Sequence, residues 1–154
     1  MKKLTVRRPV LVLTLLVLLL WRDHSGLVRM ALAASLLHES GHILVYCRLT
    51  GRFPLLTLSA GGIGLRLTDE RFTPRQLLAL AAAGPAVNLT LCAVFWLAQQ
   101  RQASYAGSFF AGVNLCLGLF NLLPVGPLDG RRMLAALAAG RQKRAAEHKK
   151  LHKR

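Results

Sequence analysis

An all-α polytopic membrane protein, with about four transmembrane helices, is the fold class this sequence predicts. Three observations carry the prediction. Hydrophobic residues make up 53% of the 154 and mean hydropathy is +0.40, yet the formal net charge is +15. Those values conflict for a water-soluble domain and agree for a membrane protein with basic loops. The apolar residues gather in four runs, with the basic residues between and after them. Within one run stands His38-Glu39-Ser40-Gly41-His42. An ionisable trio is costly inside a bilayer, so its presence there marks a functional site.

The first run, Pro9 to Trp21, follows Lys2, Lys3, Arg7 and Arg8. It is shorter than the ~20 residues a span needs, so a signal peptide must be weighed. The residues after Trp21 are Arg22-Asp23-His24, with no small-residue cleavage site. Cleavage at Ala31-Leu32-Ala33 would leave His38 near a new N-terminus and destroy the next span. The run reads as an uncleaved helix lengthened by snorkelling arginines. The second run, Gly26 to Tyr46, holds the His-Glu-His motif. The third extends from Leu77 to Ala98 and the fourth from Ala106 to Val125. Each of these three is long enough to span. Between the second and third, residues Phe53 to Leu67 place apolar stretches on either side of Gly61-Gly62. This predicts a small membrane-associated β-hairpin after the helix that holds the His-Glu-His motif, with an irregular interfacial loop as the alternative. After Gly130 comes a basic tail whose first part, with Met133, Leu134 and Leu137, reads as an amphipathic helix ended or weakened at Gly140. The domain reading is a transmembrane catalytic unit over 1–130 and a basic cytoplasmic tail over 131–154.

Charge gives the orientation. With a cytoplasmic N-terminus and four alternating helices, eighteen of the 21 Lys and Arg fall on the cytoplasmic side. Arg22, Arg29 and Arg101 fall on the other. The asymmetry predicts a multi-pass protein of the cell membrane with both termini cytoplasmic. His42 precedes Cys47 by five residues, so it lies roughly 7–8 Å inside that end of its helix. Nucleic acid is not expected as a partner, because the basic residues sit in flanks and tails with few aromatics among them. Cys47, Cys92 and Cys116 are odd in number and lack C-x-x-C spacing, so they read as small hydrophobes.

His38 and His42, four apart, share one face of a helix and can grip one metal ion. Glu39 beside them can act as base toward a water that the metal activates. A catalytic zinc site wants a third protein ligand. The chain has six carboxylates. Asp23 belongs to the far side, Asp69 and Glu70 to a charged loop, and Glu147 to the tail. Asp129 remains, just past the fourth run. Pro124 and Pro127 stop the helix there and let the chain turn back toward His42.

These residues resemble the site-2 proteases, zinc metalloproteases that cleave within the membrane. His38-Glu39-Ser40-Gly41-His42 is similar to their H-E-x-x-H. Asn121, Pro124 and Leu128-Asp129-Gly130 are similar to their N-x-x-P-x-x-x-L-D-G, and Gly84-Pro85-Ala86-Val87-Asn88 to G-P-x-x-N. The resemblance covers about Leu27 to Gly130, and the short form looks most like the sporulation-type branch. It implies one Zn2+ on His38, His42 and Asp129, with Glu39 as general base. It also implies that Asn88 and Asn121 hold substrate backbone or steady the oxyanion, where the residues alone allow simple helix-to-helix bonding. Gly84 and Pro85 read as loosening and kinking the third helix. Hydrolysis of a membrane-anchored protein near the cytoplasmic face is then expected, of a pro-sigma factor or similar transcription regulator. The hairpin would offer that substrate a strand to pair with.

Two readings compete with this one. A catalytically silent metal-binding scaffold would keep the ligands, though an intact Glu39 argues against it. A metal transporter would want polar residues along several helices, and these runs are mostly Leu, Ala and Val. No PDZ-like or cystathionine-synthase-like domain is expected, so recognition would fall to the membrane domain itself. The tail carries nine basic residues against Glu147. It is expected to bind anionic lipid, with docking of an acidic substrate or a membrane regulator protein as the alternative. His148 and His152 sit among its lysines and are not expected to form a second metal site.

Overall fold

The structure, a computed structural model, describes residues 4–6, 9–59, 62–66 and 72–151. Its elements in order are β1 (Leu4–Val6), α1 (Pro9–Trp21), α2 (Leu27–Thr50), β2 (Leu55–Ser59), β3 (Gly62–Arg66), α3 (Pro74–Gln99), α4 (Tyr105–Asn121) and α5 (Asp129–Leu151).

Local signals explain where the helices begin and end. Asp23 caps α2, its Oδ1 accepting from the Val28 N–H at 3.2 Å and its Oδ2 from the Arg29 N–H at 3.0 Å. The free N–H groups of a first turn need such partners. Gly51 ends α2 in the left-handed region at φ 67° and donates its N–H to the Cys47 carbonyl. Thr73 and Gln76 form a reciprocal capping box at the start of α3, with Pro74 in the first turn. Ser104 caps α4 by accepting from the Gly107 N–H at 3.1 Å.

Helices α2, α3 and α4 pack on one another, and α5 packs on α3. The contact faces are small or polar. On α2 the buried stripe is Ala34, His38, Gly41, His42 and Tyr46. On α4 it is Gly107, Ala111, Asn114 and Gly118. Spacings of three and four place each set on one face. Small residues let helix backbones approach closely, the packing used where lipid rather than water surrounds a bundle.

The large apolar side chains point outward instead. Leu13 and Val17 of α1, Leu44 of α2, Trp96 and Leu97 of α3, and Leu119 and Phe120 of α4 are exposed. The buried polar residues are Asp23, His38, His42, Asn88, Asn114 and Asp129. This polarity is inverted relative to a water-soluble domain, where large apolar groups fill the core.

Among the described residues, one helix, α3, is long and apolar enough to cross a membrane by length and composition. α1 is apolar but shorter. The apolar runs all form helices, with two shifts. α4 stops at Asn121 instead of reaching Val125, and residues 122–128 form the turn that Pro124 and Pro127 require. α5 continues through Gly140 to Leu151, so that glycine does not end it. A helical glycine costs only about 1 kcal/mol against alanine, and contact with α3 offsets that.

The strands β2 and β3 pair antiparallel, with Leu55 opposite Arg66 and Ser59 opposite Gly62. Residues 60 and 61, where the sequence places the turn glycine Gly61, lie outside the described residues. Strand β1 adds in parallel to β2, Leu4 opposite Leu56, and was not foreseen in the sequence. Three residues carry too short a pattern to read. The pairing exists because α1 and α2 carry the chain out and back to the level at which it began.

Candidate metal centre

Two helices contribute one ligand group. The four-residue spacing on α2 sets His38 one turn from His42, their rings edge to face with centroids 4.9 Å apart. Asp129 is the first residue of α5, delivered by the turn after α4. Its Oδ2 lies 3.1 Å from His38 Nε2 and 3.2 Å from His42 Nε2, and the two Nε2 atoms are 3.2 Å apart. All three residues are buried.

The other nitrogen of each histidine is already engaged. His38 Nδ1 donates to Asn88 Oδ1, and His42 Nδ1 donates to the Leu80 carbonyl at 2.8 Å. With the proton held on Nδ1, each Nε2 presents its lone pair to the same point. An aspartic acid side chain ionises well below neutral pH. The third group is therefore a carboxylate. Three acceptor atoms facing one another repel unless a cation lies between them. Zinc held tetrahedrally at about 2.0–2.1 Å sets its ligand atoms about 3.3 Å apart, and the observed separations fit. Two imidazoles and a carboxylate suit borderline zinc rather than soft copper. His38, His42 and Asp129 form a candidate metal site.

Gly84 makes room for it. A Cβ at that position would overlap His42 Nε2 and lie 2.6 Å from His38 Nε2. The G-P-x-x-N stretch was expected to loosen α3. Instead Gly84 lets α3 pass beside the ligands, and Pro85 is buried within a helix that continues to Gln99.

A line of buried amides runs away from the site. Asn88 Nδ2 donates to Asn114 Oδ1 at 2.8 Å and to the Ala34 carbonyl at 3.5 Å. Asn114 Nδ2 donates in turn to the Phe110 carbonyl at 2.8 Å. Neither asparagine has any exposed surface. Sequence reading passed over Asn114. Its signal was position, on the same face of α4 as Gly107, Ala111 and Gly118. Asn121 donates to the Leu117 carbonyl of its own helix at 2.9 Å. Glu39 is half-buried beside His38, and Arg132 Nη1 lies 3.6 Å from Asp129 Oδ1.

Peptidase family M50 matches residues 97–153. A protein named as zinc metalloprotease Rip3, from Mycobacterium tuberculosis, is 40% identical over 124 residues, covering 75% of this chain and 32% of its own length. A protein named as zinc metalloprotease sll0528, from Synechocystis, is 36% identical over 110 residues, covering 68% of this chain and 29% of its own. The chain thus spans about a third of the length of the curated relatives it matches. The site-2 protease from Methanocaldococcus jannaschii shares the fold, with a TM-score of 0.63 over 85% of this chain and 64% of that one, at 23% identity.

Fold and candidate ligand set resemble those of helical zinc metalloproteases. Within that class the chain is similar to the site-2 proteases, and peptidase family M50 matches its C-terminal part.

Proposed function

We infer that this protein is an intramembrane zinc endopeptidase that hydrolyses a peptide bond of a membrane-associated protein. The observation that carries the inference is the convergence of His38, His42 and Asp129 beside Glu39, in a helical core whose outer surface is apolar.

Zinc, if held by those three residues, would supply a Lewis acid for the scissile carbonyl and would lower the pKa of a water toward neutrality. The Glu39 carboxylate accepts the proton that this water gives up and delivers it to the departing amine. Asn88 and the Leu80 carbonyl hold the two imidazoles in the orientation that ligation needs. Asn88 has both ends of its amide occupied, which favours that holding role over contact with substrate. Asn121 remains the candidate for steadying substrate backbone or the oxyanion.

The cut falls near the cytoplasmic face. α1 to α4 span, both termini are cytoplasmic, and the basic end of α5 meets anionic lipid or an acidic regulator. Support comes from the charge asymmetry and from the apolar exterior of α1 to α4. The β2–β3 pair lies at the membrane surface and offers its edge to a substrate strand. The substrate proposed is a membrane-tethered transcription regulator such as a pro-sigma factor, following the sporulation-type resemblance.

The test is zinc content and cleavage by the detergent-purified protein, alongside Glu39→Gln, against membrane-anchored peptides. Cleavage that disappears in Glu39→Gln while zinc stays stoichiometric establishes the protease and its base. Zinc without cleavage of any peptide favours the silent scaffold.

A further inference from the structure

A cleft of about 410 Å3 opens between α3 and α5, and His42 forms part of its wall. A water takes up about 30 Å3 of liquid, so the cleft has room for far more than solvent bridging two helices. Leu77, Leu80 and Ala81 form the α3 side, and Ala135 and Ala139 stand on the α5 side. The lining is almost wholly apolar, apart from His42 and Arg132. Arg132 keeps its guanidinium near Asp129 while its stem edges the cleft.

The placement matters more than the size. Leu80 does two things at once: its carbonyl fixes His42, and the residue forms part of the cleft wall. A peptide whose scissile bond lies at the metal ligands must project the side chain of a flanking residue within a few ångströms. This apolar recess shares a wall with a ligand, His42. The small residues of α5 create it. Alanine at both 135 and 139 leaves open a volume that leucine there would fill.

We propose that the α3–α5 cleft is the subsite for a bulky apolar side chain of the substrate residue adjoining the scissile bond, with Ala135 and Ala139 setting its size. The proposal rests on the proteolytic reading. It assigns a sequence preference to the enzyme, where the fold alone assigns only a membrane substrate. Hydrophobic pockets discriminate through the area they bury, and loss of one or two methylenes of fit changes rates by roughly 10–200-fold.

The experiment uses the full chain in detergent with a membrane-anchored reporter peptide. Each residue near the cut is varied in turn among Ala, Leu, Met and Phe. Wild type is compared with Ala139→Leu and Ala135→Leu. Both positions are exposed, so either variant carries the test if the other fails to fold. The expected result is a wild-type preference for Leu, Met or Phe at one position beside the cut. In the variants the Phe-to-Ala cleavage ratio at that position falls about tenfold, with zinc content unchanged. A ratio that is the same in wild type and both folded variants overturns the subsite alone. Zinc-loaded wild type that cleaves no peptide overturns the proteolytic reading, and the subsite with it.

Discussion

Two residues outside the ligand set decide whether the ligands can work. Gly84 is one. Alanine in a helix is ordinarily worth about 0.5–1 kcal/mol over glycine, but here its Cβ would enter the space between the Nε2 atoms. Gly84→Ala is expected to keep or raise helicity by circular dichroism while abolishing stoichiometric zinc. Zinc retention at the wild-type level would show that the cradle is not needed. Asn114 is the other. It acts on the metal only through Asn88 and His38, across three helices. Asn114→Ala leaves a buried amide donor unpartnered, at a cost of about 1–3 kcal/mol. Losing such an outer partner typically weakens metal binding about 10–100-fold. Chelator competition reads the second effect and thermal melting the first. A melting shift with unchanged zinc affinity would reduce Asn114 to a packing residue.

At the scale of the element, α2 depends on its cap as much as on its motif. Asp23 accepts from two first-turn N–H groups and from Arg29 Nε. Burial acts to raise its carboxyl pKa, but those N–H bonds and the Arg29 charge outweigh it, so the pKa lies below the ordinary carboxylate value. A folded-state pKa below the unfolded one contributes stability above the unfolded value, and this is lost as pH falls through the folded one. Asp23→Ala is therefore expected to lower Tm by about 2–4 °C at pH 7. That gap should narrow below about pH 4. A gap independent of pH would mean that the side chain packs rather than caps. α5 shows how an element can serve two ends. Its first residue ligates, its next turns line the cleft, and its later turns carry exposed Arg141, Lys143, Arg144 and Lys149.

Over the whole molecule, the inverted polarity and the charge asymmetry speak to the same medium. Lipid would accept the exposed Leu, Val, Phe and Trp of α1 to α4, and the buried ionisable groups Asp23, His38, His42 and Asp129 each have a partner. The charge distribution predicts a cytoplasmic C-terminus. A fluorescent protein fused after Arg154 should fluoresce in cells, and alkaline phosphatase fused there should be inactive. The reverse pair of results would invert the topology and move the site to the other face.

The amino-acid sequence by itself determined the chemistry of the ligands and the order of the helices. Metal chemistry needs particular atoms at particular spacings, and four residues on one helix are set by the 3.6-residue turn whatever surrounds them. Asp129 was legible for a related reason, since few carboxylates were present and two prolines forced a turn before it. The tertiary structure decided what depends on neighbours from other elements. The parallel pairing of β1 exists only because two helices return the chain to β2. The persistence of α5 through Gly140 depends on its contact with α3. Gly84 could be read as a weak point until α2 placed two imidazoles against it, and Asn114 was one polar residue in an apolar run until Asn88 met it. The cleft beside His42 belongs to no single segment, because a cavity is a property of two surfaces and the gap between them.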